Sequence, residues 1–228
     1  MAARVDDPNE ERLIAFTPDE FAGWIESGVG KREIPDTPFW VGVCGAPGSG
    51  KSTICAQLTQ CLGDARAVSI PMDGYHYSRR ELDAMPDPQE AHRRRGAPFT
   101  FDAERFVRDL ELARQFGSGR FPSFDHATAD PVESSIMLER SHRFVFIEGN
   151  YLLLDTDPWR RLRGLFDLTV FLEVDRETCR ERLMSRFLEV GLDMEAAAAR
   201  VAGNDMKNLE LVAATRCRAD RAVKIHQG

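Results

Sequence analysis

The stretch VGVCGAPGSGKST, Val41 to Thr53, decides the fold. Gly45, Gly50, Lys51 and Ser52 fill the pattern G-x-x-x-x-G-K-[ST], a loop whose glycines let successive backbone N–H groups turn inward around phosphate oxygens. Such a loop needs a strand before it and a helix after it. FWVGVCG is a short continuous apolar run and KSTICAQLTQCL has helical spacing, so both are in place. The helix start adds the positive end of its dipole. The expectation is a nucleotide site built from Gly45, Ala46, Pro47, Gly48, Ser49, Gly50, Lys51, Ser52 and Thr53. In it Lys51 reaches the β- and γ-phosphates of ATP and Ser52 holds Mg²⁺.

Outward from the loop, the next apolar run is ARAVSIPMD, ending at Asp73. Open parallel sheets place their ligands at the C-terminal ends of strands. A carboxylate there can take a proton from a hydroxyl that attacks the γ-phosphate, or it can cap a turn. A third run, FVFIEG, ends in Glu148, where a carboxylate linked to Mg²⁺ belongs; Ser52 and Glu148 are the metal candidates. A base-reading N-K-x-D element of a GTP switch is absent, and motor ATPases usually end this strand in Asp or Asp-Glu.

Between these runs, TPDEFAGWIE opens a helix with Thr17, Pro18 and Glu20 as a capping box. A long irregular stretch runs to about Thr100, and DAERFVRDLELARQF is an amphipathic helix capped by Asp102. RFPSFDHATADPVES reads as short strands and turns, DPWRRLRGLF as a short helix and DLTVFLEVD as a strand. RETCRERLMSRFLEV and DMEAAAARVAGND read as helices, and RAVKI as a weak last strand. Helices alternating with buried strands imply an α/β fold, a parallel sheet covered on both faces. The boundaries expected are an N-terminal helical extension over 1–36, polar through residue 12, and one nucleotide-binding domain over 37–228.

The 228 residues carry a formal net charge of -7, which argues against nucleic acid as a partner. No apolar run approaches 18 residues, so no membrane insertion is expected, and the start lacks the apolar core of a signal peptide. Five cysteines without metal or disulfide spacing point to a reducing, cytoplasmic setting.

Several residues keep two readings. Arg95, in HRRRGAPFTFD, belongs to an anion-binding acceptor edge or to a solvated charge run. Phe99 and Phe101 line the pocket or the core. Asp125 and His126 bind substrate hydroxyls or cap a turn. Tyr75, His76 and Asn150, which follow Asp73 and Glu148, are further acceptor candidates. The arginines of RLMSR reach phosphate or decorate an exposed helix.

The ordered set GAPGSGKST, MDGYHYSRRELD, RRGAPFTFD, FPSFDH and FIEGNYLLL resembles the uridine kinase, phosphoribulokinase and pantothenate kinase superfamily over roughly residues 36 to 226. Within it the set is similar to a bacterial subgroup, the fructose-transport-system kinases, also labelled nucleoside/nucleotide kinase family proteins. The resemblance implies a P-loop NTPase three-layer fold with a helical lid. It implies Asp73 as catalytic base and Glu148 at the strand end. It implies that Arg182 and Arg186 of a lid helix reach the transferring phosphate, and that RCRADRAV, with Arg218, flanks the adenine. Uridine kinases carry D-S-F-Y after the second strand; this chain has Asp73-Gly74-Tyr75-His76, nearer to pantothenate and sugar kinases. The implied function is an ATP-dependent kinase of a small-molecule hydroxyl, a sugar such as fructose. The alternatives are a nucleoside or pantothenate kinase, or an ATP-binding regulator of a transport system. A functional link to a sugar transporter and a homodimer complete the expectations.

Overall fold

The computed structural model describes residues 13–29, 37–125 and 128–225. Eight strands are present among them: β1 (Leu13–Phe16), β2 (Phe39–Gly45), β3 (Ala67–Pro71), β4 (Gly119–Asp125), β5 (Asp130–Leu138), β6 (Phe144–Gly149), β7 (Leu168–Leu172) and β8 (Arg221–Ile225). Six form one sheet in the order β1-β8-β7-β2-β6-β3. Its pairs are parallel throughout. β4 and β5 form a separate antiparallel hairpin.

Parity along the strands sorts side chains onto two faces. Phe39, Val41 and Val43 of β2 and Phe144 and Phe146 of β6 face one core, packed by α1 (Pro18–Val29) and α2 (Lys51–Leu62). Trp40, Cys44, Val145 and Ile147 face the other, with Phe106, Val107 and Leu110 of α5 (Ala103–Phe116). Gly42 is on this second face because a Cβ there would lie 2.9 Å from the Phe166 ring.

α1 begins as its sequence dictates. Thr17 accepts from Glu20 N at 3.3 Å, and Glu20 accepts from Thr17 N at 2.8 Å. The reading of 1–36 as a helical extension lacks β1, which joins the main sheet through β8. Residues 1–12 lie outside the described residues. The irregular stretch before Thr100 holds two short helices, α3 (Arg79–Asp83) and α4 (Pro88–Arg93), capped by Ser78 and Asp87. DPWRRLRGLF is a 3₁₀ helix at Trp159–Leu165.

Beyond β7 come α6 (Arg176–Glu189), α7 (Met194–Arg200), a π-helical turn (Val201–Asp205) and α8 (Met206–Ala213). Cys179, Leu183, Val201, Met206 and Leu209 form a third small core with Ala46 of the glycine loop. This helical layer therefore sits directly against the loop.

Candidate active site

Parity also sets the chemistry. Phe144 and Phe146 point toward α2, and so does Glu148 two residues on. Its carboxylate accepts from the Ser52 hydroxyl at 2.8 Å, in the first turn of α2. Glu148 is 7% exposed. Burial and the nearby Asp73 push its carboxyl up to about 7, against the opposing pull of Lys51 and the Ser52 hydrogen bond.

The loop that precedes α2 has the strained turns its glycines permit. Gly48 and Gly50 have φ of +79° and +87°. Lys51 is 9% exposed, and its ammonium donates to the Ala46 carbonyl at 3.0 Å. The sequence implied a lysine open to ligand; here it folds back on its own loop. Ser49 Oγ is buried without a partner among the described residues. A cradle with an unmet hydroxyl, a near-buried ammonium and inward N–H groups fits a polyphosphate. Among the described residues no group of three His, Cys, Asp or Glu could hold a metal alone. Ser52 and Glu148 thus suit a Mg²⁺ ion that takes its remaining oxygens from phosphate and water.

Asp73 sits in a 3₁₀ turn, Met72–Tyr75, directly after β3. Pro71 of β3 is in register with Glu148, so the two carboxylates lie side by side at the end of the sheet. The Asp73 carbonyl accepts from His76 N at 3.2 Å and contacts His76 Nδ1 at 2.8 Å. A Cβ on Gly74 would lie 2.2 Å from the Pro122 carbonyl oxygen of β4. Gly74 is therefore a packing requirement: the hairpin backbone presses against the turn that carries Asp73.

The other candidates divide. His76 packs at a tilt against Phe101, ring centroids 3.9 Å apart, and Phe124, 4.8 Å apart, beside the turn that carries Asp73. Phe101 belongs to the core, whereas Phe99 is half exposed. Tyr75 turns away: its ring packs on Phe106 at 4.8 Å and its hydroxyl donates to Asp109 at 3.2 Å, on the α5 side. It faces a separate cavity of about 480 Å³ that Asp73 does not line. Arg95 is no open anion edge, because its guanidinium donates to the carbonyls of Ala129 and Tyr77 and to Asp130. Asp125 accepts from Thr128 at 2.9 Å across the hairpin turn, the turn-capping reading. His126 lies outside the described residues. The Asn150 carbonyl accepts from the Cys44 thiol at 3.3 Å.

Arg182 donates to the Gly48 carbonyl at 3.3 Å, and a Cβ on Gly48 would lie 2.6 Å from the Cys179 carbonyl oxygen. The start of α6 is thus fastened to the phosphate loop. Arg186, one turn on, is exposed and lies within electrostatic reach of Asp205. A cavity of about 190 Å³ opens beside the loop, between Thr53 and Gln57 of α2 and Val223 and Ile225 of β8. Arg218 does not line it; it donates to the Leu153 carbonyl at 3.3 Å and pairs with Asp155.

A second set of residues carries no sequence motif. Asn204 and Asn208 are 2% exposed. Their amides donate to the Arg95 and Gly96 carbonyls at 2.8 and 3.2 Å, and Arg94 donates to Asn204 at 3.0 Å. Tyr151 donates to the same Gly96 carbonyl at 2.5 Å. One local signal does mark the set: Gly203-Asn204-Asp205 interrupts a run of strong helix formers.

A glycine loop between a central strand and its helix, with paired carboxylates at the sheet's C-terminal end and a helical layer above, defines a P-loop phosphotransferase. Its donor is ATP and its metal Mg²⁺. The chain belongs to the phosphoribulokinase/uridine kinase family, whose model matches residues 40–224. A Schizosaccharomyces pombe protein named a "putative uridine kinase" is 42% identical over 180 residues, covering 75% of this chain and 77% of that protein. A crystal structure described as a "putative fructose transport system kinase" from Silicibacter sp. is 34% identical. It has a TM-score of 0.80 and covers 91% of this chain and 98% of the other. YFH7 of Saccharomyces cerevisiae, described as "a putative P-loop containing kinase with a circular permutation", shares the fold at 22% identity, with a TM-score of 0.74 and coverage of 92% and 98%. No helix among the described residues is long and apolar enough to cross a membrane.

Proposed function

We propose that this kinase phosphorylates a hydroxyl of a small polyhydroxylated metabolite of the sugar class, with Asp73 as general base. The observation that carries the reading is the pair of adjacent carboxylates with different surroundings. Glu148 is nearly buried and bonded to Ser52, while Asp73 stands half-buried at the open end of β3. One is placed to serve the metal and the other the acceptor. Asp73 takes the proton of the acceptor hydroxyl as its oxygen bonds the γ-phosphorus. The bond from that phosphorus to the β–γ bridging oxygen breaks, and ADP leaves with the electron pair. Lys51 exchanges the Ala46 carbonyl for phosphate oxygens and meets the charge that grows on the leaving group. Ser52 and Glu148 would hold a Mg²⁺ ion, which when bound would neutralise charge on the polyphosphate. Arg182 and Arg186 complete the anion site from above. The adenine is assigned to the cavity between α2 and β8, where Ile54, Leu172, Val223 and Ile225 offer apolar contact beside the phosphate loop.

The sugar class draws on the printed name of the Silicibacter relative and on the Asp-Gly turn. The same name motivates a place beside a sugar transporter, and the five free thiols suit the cytoplasm. A second reading, a nucleoside acceptor, is favoured by the part-buried rings of His76 and Phe124, which could stack on a flat base. A coupled ADP-release screen over sugars, nucleosides and pantothenate decides. Turnover with a sugar supports the proposal, and turnover with uridine alone replaces it. ATP binding without acceptor-dependent ADP release with any compound would favour a nucleotide-binding regulator.

A further inference from the structure

Arg95 is gripped at two ends. Its main-chain carbonyl accepts from the Asn204 amide at 2.8 Å, and Asn204 lies in the π-helical turn between α7 and α8. Its guanidinium donates to the Ala129 carbonyl at 2.5 Å and to Asp130 at 3.1 Å, where β5 begins, and to the Tyr77 carbonyl at 2.8 Å. The same guanidinium lies over the Phe124 ring of β4, 5.5 Å from its centroid. The side chain is only 10% exposed, so it acts as a strut rather than as a surface charge. One residue thus joins the helical layer to the hairpin and to the segment that follows Asp73.

Both ends continue in further contacts. On the helical side, Arg94 donates to the Asn204 side-chain oxygen at 3.0 Å, and Asn208 of α8 donates to the Gly96 carbonyl at 3.2 Å. Tyr151, just past the end of β6, donates to that carbonyl as well. Val201 and Met206, which flank the π-helical turn, share a small core with Cys179 and Leu183 of α6 and Ala46 of the phosphate loop. Arg182 of α6 bonds the Gly48 carbonyl of the same loop. On the hairpin side, Asp130 also accepts from the Arg79 amide at 2.9 Å, and the Pro122 backbone presses on Gly74, next to Asp73. The contacts therefore begin at the phosphate loop and end at the turn that carries Asp73.

The chemistry of these bonds makes them move together. Asn204 and Asn208 are buried, so an amide that let go of its carbonyl would be left unmet at a cost in free energy. A shift of the helical layer is thus cheapest when it carries the Arg94–Gly96 turn along. The guanidinium meets three acceptors in two segments, which fixes orientation as well as distance. A π-helical turn is rare, and such turns gather at functional sites.

We propose that Arg95 and Asn204 are positioning residues through which nucleotide at the phosphate loop sets the hairpin against Asp73. Nucleotide draws α6 and the π-helical turn onto the loop, Asn204 brings the Arg94–Gly96 turn with them, and the Arg95 guanidinium brings the hairpin. Nucleotide and acceptor then raise one another's affinity by the same factor. The proposal rests on the reading of Asp73 as the base beside the hairpin, and not on the class of acceptor.

The test is hydrogen exchange on the whole chain, with and without the Mg²⁺ complex of β,γ-imido-ATP and with no acceptor present. In the wild type the analogue should slow exchange in β4 and β5 about 10-fold, alongside the phosphate loop. Arg95→Gln should abolish the slowing in the hairpin and leave that in the loop. Arg95→Lys should restore part of it, since lysine keeps the charge but not the fork. Asn204→Ala cuts the other end and should act like Arg95→Gln, and the double variant should lose no more than either single one. A tie that is merely structural would instead speed hairpin exchange without ligand and leave the ligand-dependent slowing as it was. Hairpin exchange that ignores the analogue in the wild type overturns the proposal without any variant, and so does slowing that survives Arg95→Gln. If Arg95→Gln does not fold, Arg95→Lys and Asn204→Ala bear the test on the same terms. Because no acceptor is added, this result and the failure of the sugar reading in the ADP-release screen are independent outcomes.

Discussion

The Ser52 hydroxyl and the Glu148 carboxylate meet at 2.8 Å, joining the first turn of α2 to the end of β6. Glu148 lies almost out of water and beside Asp73, so it is costly to ionise. Its folded pKa, about 7, lies above its ordinary value of 4.5. The folded protein therefore holds more protons than the unfolded chain between these values, and stability falls as pH rises through them. Without Mg²⁺, Glu148→Gln should gain roughly 3 kcal/mol over the wild type at pH 8 and little at pH 4.5. Urea melts of both proteins across that range check this, and a pH-independent difference would refute it. The same variant should lose most of its turnover.

Asp73→Asn keeps shape and removes basicity. The kcat should fall about 10²–10⁴-fold, with ATP affinity nearly constant. Steady-state turnover beside calorimetric ATP binding measures both. A variant that keeps more than about a tenth of wild-type kcat would exclude Asp73 as the base.

Lys51→Ala should cost about 10³-fold or more in kcat. In the free protein its ammonium is tied to the Ala46 carbonyl of its own loop. The fold should thus lose no more than about 1 kcal/mol. Circular dichroism melts and turnover separate these effects, and normal turnover in a folded variant contradicts the site.

Gly74→Ala drives a methyl into the Pro122 carbonyl, 2.2 Å away. The turn and the hairpin must part, at about 1–3 kcal/mol, and Asp73 moves with the turn. The kcat should fall about 10²-fold, as for a misplacement of an ångström, while ATP still binds. A variant with wild-type stability and rate would show that the hairpin does not position Asp73.

Protection from hydrogen exchange should divide α6. Cys179 and Leu183 are buried and Arg182 already bonds the phosphate loop, so the first half is held without ligand. A Mg-ATP analogue with acceptor should add protection over 186–205, where Arg186 is exposed. Equal protection with and without ligands would remove the lid from the mechanism.

Much of the site is legible in the amino-acid sequence because it is written in local patterns. The phosphate loop lies between a strand and a helix that each announce themselves by period. Glu148 follows from its place at the end of the apolar run FVFIEG. The rest depends on distant packing. The direction of Tyr75 is set by Phe106 and Asp109 on α5, and the ties of Arg95 by carbonyls at Tyr77 and Ala129. The bonds of Asn204 to Arg94 and Arg95 join a π-helical turn to a loop more than a hundred residues away. β1 escapes a sequence reading because its four residues are too few to show alternation against a flanking helix.

The edge strand β1 carries a consequence in time. Among the described strands it is the first of the sheet to be synthesised, and its neighbour there is β8, pairing Phe16 with Ile225. Roughly two hundred residues must follow before that partner exists, a very non-local closure. During translation the β2–β3–β6–β7 centre can assemble around the phosphate loop while β1 waits with an unpaired backbone. The growing chain would then acquire its ability to grip nucleotide before its sheet is complete, and bound ATP could steady the half-made enzyme until its last strand arrives.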